Sequence, residues 1–172
     1  MKAAVRTKYG LPGDLMVKEV EVPVPKDNEV LIRVHAASVN RSDHHVLIGK
    51  PFVMRLLTGL FKPKLASTGS DFAGQVEAIG SRVTSFKVGD NVMGFGGGLG
   101  IGSHAEYLTF PKTKRIILMP DNITYEQSAA CLEGKYYAAM GLLQVAPKAG
   151  QKALVYGATG AIGSAYVQFF SY

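Results

Sequence analysis

Tryptophan is absent from this 172-residue chain, and cysteine occurs once, at Cys131. A single thiol excludes an internal disulfide and any zinc lobe built from several cysteines. No apolar run approaches the ~18 residues that span a bilayer. The opening MKAAVRTKYG lacks the continuous apolar stretch of a secretion signal, so the cytoplasm is the expected compartment, with no membrane partner. Blocks of like charge are also missing. The net charge is +6, but its positive residues are scattered. The densest groups, Lys62 with Lys64 and Lys112 to Arg115, are short and read as solvated surface. Nucleic acid is therefore not the expected partner. A modest positive field suits a small phosphorylated ligand such as a dinucleotide equally well.

What is present describes a foldable chain. Apolar residues make up 47% and charged residues 19%, enough to bury a real core. Twenty glycines and eight prolines imply many turns and short strands. Valine-rich runs with interleaved charge predict strands at Met1–Arg6, Met16–Val22 and Val30–Ala36, punctuated by Pro23, Pro25 and Lys26-Asp27-Asn28. Further strands are expected at Phe72–Ile79, Asn91–Phe95, Ala105–Phe110 and Arg115–Leu118. Such spacing points to an irregular β-barrel or sandwich. Residues 41–48 predict a short helix. Met54–Lys64 is apolar enough for a helix, but Gly59 and Pro63 favour a long loop.

The pattern changes after Pro120. Thr124 followed by Glu126 and Gln127 makes a capping box that opens a helix running towards Gly134. A second helix is expected over Tyr136–Val145, ending before Pro147. Lys152–Tyr156 then reads as a strand, Gly157–Gly163 as a glycine-rich turn, and Ala161–Phe170 as a helix. Strand, glycine turn and helix open a βαβ unit. The expected domains are 1–123, mainly β, and 124–172, the incomplete start of an α/β domain. With no second strand before Tyr172, the chain is expected to be the front of a longer protein or a fragment. No internal repeats occur.

The turn reads AxGxxG from Ala158, a variant of the dinucleotide fingerprint. Ala158, Thr159, Gly160, Ala161, Ile162 and Gly163 are the candidate cofactor-binding residues. Gly160 lets backbone approach a pyrophosphate, Gly163 permits close helix packing, and the helix N-terminus offers N–H groups to the phosphates. Alone the motif also fits an ordinary tight turn; a strand before it and a helix after it favour the functional reading. The residue that tells NAD from NADP lies ~20 positions further on, beyond Tyr172.

Taken in order, these segments resemble the medium-chain dehydrogenase/reductase superfamily along essentially the whole chain. Asn40-Arg41-Ser42-Asp43-His44-His45 with Gly49 is similar to the loop after the third barrel strand. Gly69-Ser70-Asp71-Phe72-Ala73-Gly74 and VEAIGSRVTSFKVGDNV are similar to the barrel's central section, and Gly102-Ser103-His104-Ala105-Glu106-Tyr107 to the family's GxxAEY segment. The resemblance implies a GroES-like β-barrel catalytic domain followed by a Rossmann cofactor domain, with the active site in the cleft between them. It also implies NADP, with NAD as the alternative, a small carbonyl or quinone substrate, and a homodimer when complete.

In the family's zinc branch a cysteine stands where this chain has Asn40, and a His-Glu pair where it has Ser70-Asp71. Asn and Ser are poor zinc ligands and one Asp is not enough. Cys131 lies near where that branch places its third ligand, but one thiolate does not restore the set. Zinc is therefore not expected. Asn40 resembles the asparagine of the quinone and enone reductases, whose conjugated acceptors take hydride when their oxygen is held by hydrogen-bond donors. Ser42 and His45 stand where zinc alcohol dehydrogenases keep a proton relay, and Arg41 where they keep a phosphate-binding arginine. Asn40, Ser42 and His45 are the catalytic candidates, and Arg41 and Tyr137 join the cofactor set. Tyr137 replaces a threonine that in relatives often contacts nicotinamide or ribose.

Blander roles compete with these. His44 reads as solvent-facing, His35 and His104 as barrel side chains, Arg41 as a surface charge, and Asp43 as a cap for its loop. The resulting expectation is a zinc-independent NAD(P)H-dependent reductase of quinones or α,β-unsaturated carbonyls. The alternatives are a catalytically idle truncated form or interaction module, with a sheet edge prone to self-association, and, third, a zinc alcohol dehydrogenase with replaced ligands.

Overall fold

In the computed structural model, residues 1–111 and 115–171 are described; Lys112 to Lys114, read above as surface charge, and Tyr172 lie outside them. Alternating valines and isoleucines dictate the central sheet. Strand β3 (Glu29–Ala36) buries Val30 and Ile32 completely, and β4 (Asp71–Ile79) buries Phe72 and Val76 on the same side. Antiparallel pairing extends outward to β5 (Asn91–Phe95), β6 (Tyr107–Pro111) and β7 (Ile116–Leu118), in the order β6-β3-β4-β5-β7. The two first strands, β1 (Lys2–Val5) and β2 (Met16–Glu19), form a separate antiparallel pair. That pair is tied back through bridges from Ala3 to Ala105 and from Val5 to Ser67.

The core gathers Val30, Ile32, Phe72, Val76, Val83, Val92, Leu108, Phe110 and Ile116. Phe72 and Phe110 meet edge to face with centroids 5.2 Å apart, a favoured aromatic geometry. The β3–β4 register slips between Val34 and Ala36, leaving His35 unmatched across the ladder. Such a bulge bends a strand and re-aims the chain beyond it. Here it turns the backbone out of the sheet towards residues 37–40. The ring of His35 stacks on Tyr125, centroids 4.4 Å apart.

Helix α1 (Arg41–Ile48) occupies the predicted residues, with Gly49 closing it in the left-handed conformation at φ 62° and ψ 41°. The ambiguous stretch after it resolves into a short helix, α2 (Val53–Thr58), and then loop. The apolar residues thus form one turn and a half before Gly59 ends it, so both competing signals act in succession.

The chain divides into two compact units, Met1–Ala130 and Cys131–Tyr172. Two expectations for the second fail. The two helices expected over 124–145 are one, α3 (Tyr125–Val145). Gly134 does not interrupt it, because it serves as a point of close approach. A Cβ there would lie 2.7 Å from the carbonyl oxygen of Ala161, at the start of α4 (Ala161–Phe170). One glycine costs a helix only ~1 kcal/mol, which backbone-to-backbone packing offsets. The strand expected over Lys152–Tyr156 also does not form. Extended backbone becomes a strand only with a partner to pair with, and among the described residues none is present; Tyr156 is 100% exposed.

Phe72→Ala removes the centre of the core without altering the fold's connectivity. Urea denaturation is expected to show a loss of about 3–5 kcal/mol, the range for a buried phenylalanine cut to alanine; a loss below ~1 kcal/mol would mean that the core does not rest on this ring.

Candidate functional site

The segment leaving the β3 bulge delivers Ser38 and Asn40 to the start of β4, where Asp71 is fully buried. A carboxylate removed from water needs donors. Asp71 receives three: the Ser38 N–H to Oδ1 at 2.8 Å, the Ser38 hydroxyl to Oδ2 at 2.5 Å, and Asn40 Nδ2 to Oδ2 at 2.7 Å. Asn40 Nδ2 also lies 3.4 Å from Ser70 Oγ, a weaker contact. An ionised carboxylate only accepts, so the Asn40 amide must turn its nitrogen towards Asp71 and its oxygen elsewhere.

His104 extends the network. Its Nε2 stands 2.9 Å from the Ser38 carbonyl, which can only accept, so Nε2 carries the proton. Nδ1 is then free to accept from the Thr68 hydroxyl at 2.8 Å. Thr68, Ser70 and Asp71 are all buried. Hydrogen bonds thus run unbroken from Thr68 through His104, Ser38 and Asp71 to Asn40.

Asn40 is the N-cap of α1, and its own N–H donates to Asp43 Oδ2 at 2.8 Å. The capping role expected of Asp43 is realised. Burial pushes the Asp43 carboxyl above the usual carboxylate range, with the Asn40 N–H and the Ser70 hydroxyl pulling it part of the way back. Along α1, Arg41 is exposed, Ser42 and His45 are half-buried, and His44 faces solvent as expected. Ser42 and His45 are three residues apart, hence on one helical face. Asn40, Arg41, Ser42 and His45 therefore share one helix start in the first unit.

The glycine turn belongs to the second unit. Gly157 has φ 77°, and Gly160 is the N-cap of α4. A Cβ on Gly163 would sit 2.0 Å from the Gly157 carbonyl oxygen, so this position accepts no side chain. Ala158 to Ile162 are exposed, leaving the start of the ten-residue α4 open to a ligand. The backbone N–H groups and dipole of a helix start suit an anionic pyrophosphate, so these residues fit the phosphates of a dinucleotide. Tyr137 is 37% exposed on α3, edge to face with Tyr136 at 5.5 Å.

Residues 26–121 match the alcohol dehydrogenase GroES-like domain. The chain belongs to that family. Its place among the medium-chain dehydrogenases/reductases is seen in its relatives. The quinone oxidoreductase of Sus scrofa is 37% identical over 172 residues, covering 98% of this chain and 49% of that protein. The quinone oxidoreductase structure from Coxiella burnetii superposes with a TM-score of 0.87 at 31% identity, over 99% of this chain and 53% of that one. A mycobacterial protein solved in complex with NADPH gives 0.80 at 30% identity, over 99% and 50%. The chain spans about half the length of the curated relatives it matches.

For a member of this family, the arrangement at Asn40 is informative. Asn40, Ser70 and Asp71, far apart in sequence, come together here, and hydrogen bonds join them. Among the described residues no group of three or more His, Cys, Asp or Glu is placed to hold a metal ion. Sequence reading missed Ser38 and Thr68 altogether and took His104 for a plain barrel side chain. The available signal was polar residues spaced by two, Ser38 with Asn40 and Thr68 with Ser70, at sequence positions flanking the ends of two adjacent apolar strands.

The raised Asp43 carboxyl makes a signed prediction. Its neutral form is favoured by folding, so its contribution is fully present below about pH 4, the ordinary carboxylate value, and is lost as pH rises through the elevated folded value. Asp43→Asn keeps an oxygen for the Asn40 N–H and abolishes the titration. Chemical denaturation across pH should show the variant gaining on the parent as pH rises, and the two converging in acid; a constant difference would remove the buried-carboxyl account.

Proposed function

We propose that this chain is the N-terminal part of an NAD(P)H-dependent reductase of quinones or α,β-unsaturated carbonyls, acting by hydride transfer without zinc, with NADPH the favoured cofactor. The observation that carries this reading is the Asn40–Asp71 hydrogen bond at 2.7 Å. By the resemblance drawn from the sequence, this pair stands where the zinc branch keeps ligands, and it supports a site filled by protein donors and acceptors. The named activities of the similar proteins support the same class of chemistry.

A bound NAD(P)H supplies the hydride. Reduction of a conjugated acceptor then needs little from the protein beyond positioning, a donor at the oxygen where charge collects, and a proton for the product. Because Asn40 directs its nitrogen at Asp71 and Ser70, it serves as a rigid wall that offers its amide oxygen. The donor at the substrate oxygen is His45, an imidazole that can donate a hydrogen bond and pass on a proton. Ser42, on the same helical face, is the hydroxyl from which that proton is replenished. In the second unit, the backbone from Ala158 to Gly163 takes the pyrophosphate. Arg41, exposed at the start of α1, and Tyr137 complete the cofactor contacts.

In the whole protein, His45→Ala is expected to lower kcat for a quinone about 10²-fold or more; unchanged turnover would take His45 out of the mechanism. One tightly bound zinc per chain, found by metal analysis of active protein, would overturn the reading itself. Gly163→Ala should abolish NADPH binding, followed by nicotinamide fluorescence, while leaving the β unit's melting transition in place. Retained binding would show that the glycine turn is not the pyrophosphate site.

A further inference from the structure

Arg6 follows β1, where its N–H donates to the Ala66 carbonyl at 2.9 Å. Its side chain is only 3% exposed. A guanidinium stays charged in proteins, and a buried charge is costly unless paired. Yet the ion pairs among the described residues, Lys8 with Asp14 and Arg82 with Asp27, do not include it. Nη1 donates to the Val46 carbonyl, and the group lies 5.3 Å from the centroid of the Tyr9 ring. Nε is buried and has no hydrogen-bond partner among the described residues. Burial holds the guanidinium below its usual range, with Tyr9 opposing.

Arg6 walls a cavity of about 260 Å³ together with Lys64, Leu57, Leu65 and Leu99. From His44 to Ser70 the sequence holds Lys50, Arg55, Lys62 and Lys64 and not one aspartate or glutamate. The hydroxyls at the wall are already committed: Thr58 donates to the Met54 carbonyl at 2.7 Å, and Ser67 lies 3.3 Å from the carbonyls of both Gly102 and His104. The cavity thus offers two cations and an apolar lining, and its described lining residues include no aspartate or glutamate to balance them.

We propose that this cavity is a binding site for a small organic carboxylate, its head group on Arg6 and Lys64 and its apolar body against Leu57, Leu65 and Leu99. Nη1 is spent on Val46, which leaves Nε of this cavity-lining arginine as the donor still lacking an acceptor, the role a carboxylate oxygen would fill. The leucines favour a ligand with a hydrocarbon body over a bare, strongly hydrated phosphate. The site lies within the first unit and goes beyond the proposed reaction, on which it does not depend.

Benzoate is the probe, with benzyl alcohol as its uncharged counterpart and inorganic phosphate as the competing anion, titrated into the isotope-labelled full chain. Benzoate is expected to shift the Arg6 Nε–H resonance saturably, while benzyl alcohol leaves it in place. Arg6→Met should weaken benzoate about ten-fold or more, the effect of losing a hydrogen bond to a charged group. Lys64→Ala, a change at an exposed side chain, should weaken it several-fold in a chain that folds normally. Benzoate binding that moves no Arg6 signal, or that survives both substitutions, overturns the site. Phosphate binding more tightly than benzoate overturns the carboxylate assignment.

Discussion

Asp71 sits at the first residue of β4 with no solvent access, and a bare carboxylate there would be a severe liability. It is tolerable because Ser38 and Asn40 supply donors from a segment that has no regular structure of its own. The dependence runs both ways. Without Asp71, residues 37–40 would keep only the His104 contact to the Ser38 carbonyl and the weaker Asn40–Ser70 contact, and the start of α1 would lose most of its anchoring. Without the β3 bulge, the segment would leave at another angle and miss the carboxylate. The position of Asn40 is thus set by electrostatic need in the core as much as by the helix it caps.

The two ends of α1 are held differently. At the N-terminus, Asp43 accepts the Asn40 N–H, joining the cap to the buried network. At the C-terminus, Gly49 turns the chain in the left-handed region, where a side chain is strained. Between them, Val46 and Leu47 are buried while Arg41 and His44 meet water. An eight-residue helix is marginal by itself; its stability comes from that buried face and from caps at both ends. This is a suitable mount for side chains whose placement matters.

Much of the fold was legible. Alternation and β-branching marked all of the observed strands to within a few residues, because those signals report directly on which face meets the core. The fingerprint helix fell at its predicted residues for the same local reason. The failures share one cause: they depended on a partner distant in sequence. Gly134 reads as a helix end until Ala161 is seen beside it. Lys152–Tyr156 reads as a strand because its composition is right, but pairing is not a property of composition. At the candidate site, Asn40 and Asp71 were recognised through family resemblance, whereas His104 and Ser38 were not. Their role lies in contacts spanning 66 and 33 residues of sequence, which no local pattern encodes.

The stacked pair of His35 and Tyr125 has a wider bearing. The Tyr125 hydroxyl also donates to Asn91 Oδ1 at 2.7 Å, so the first residue of α3 is pinned to β3 by its ring face and to the start of β5 by its tip. The first turn of the helix is therefore held by side-chain contacts as well as by its connecting loop. Residues 120–123, between the Met119 N–H bond to Asn91 and the Thr124 cap, can vary in length and composition while Tyr125 keeps both of its contacts, much as a pin keeps its seat whatever strap hangs beside it.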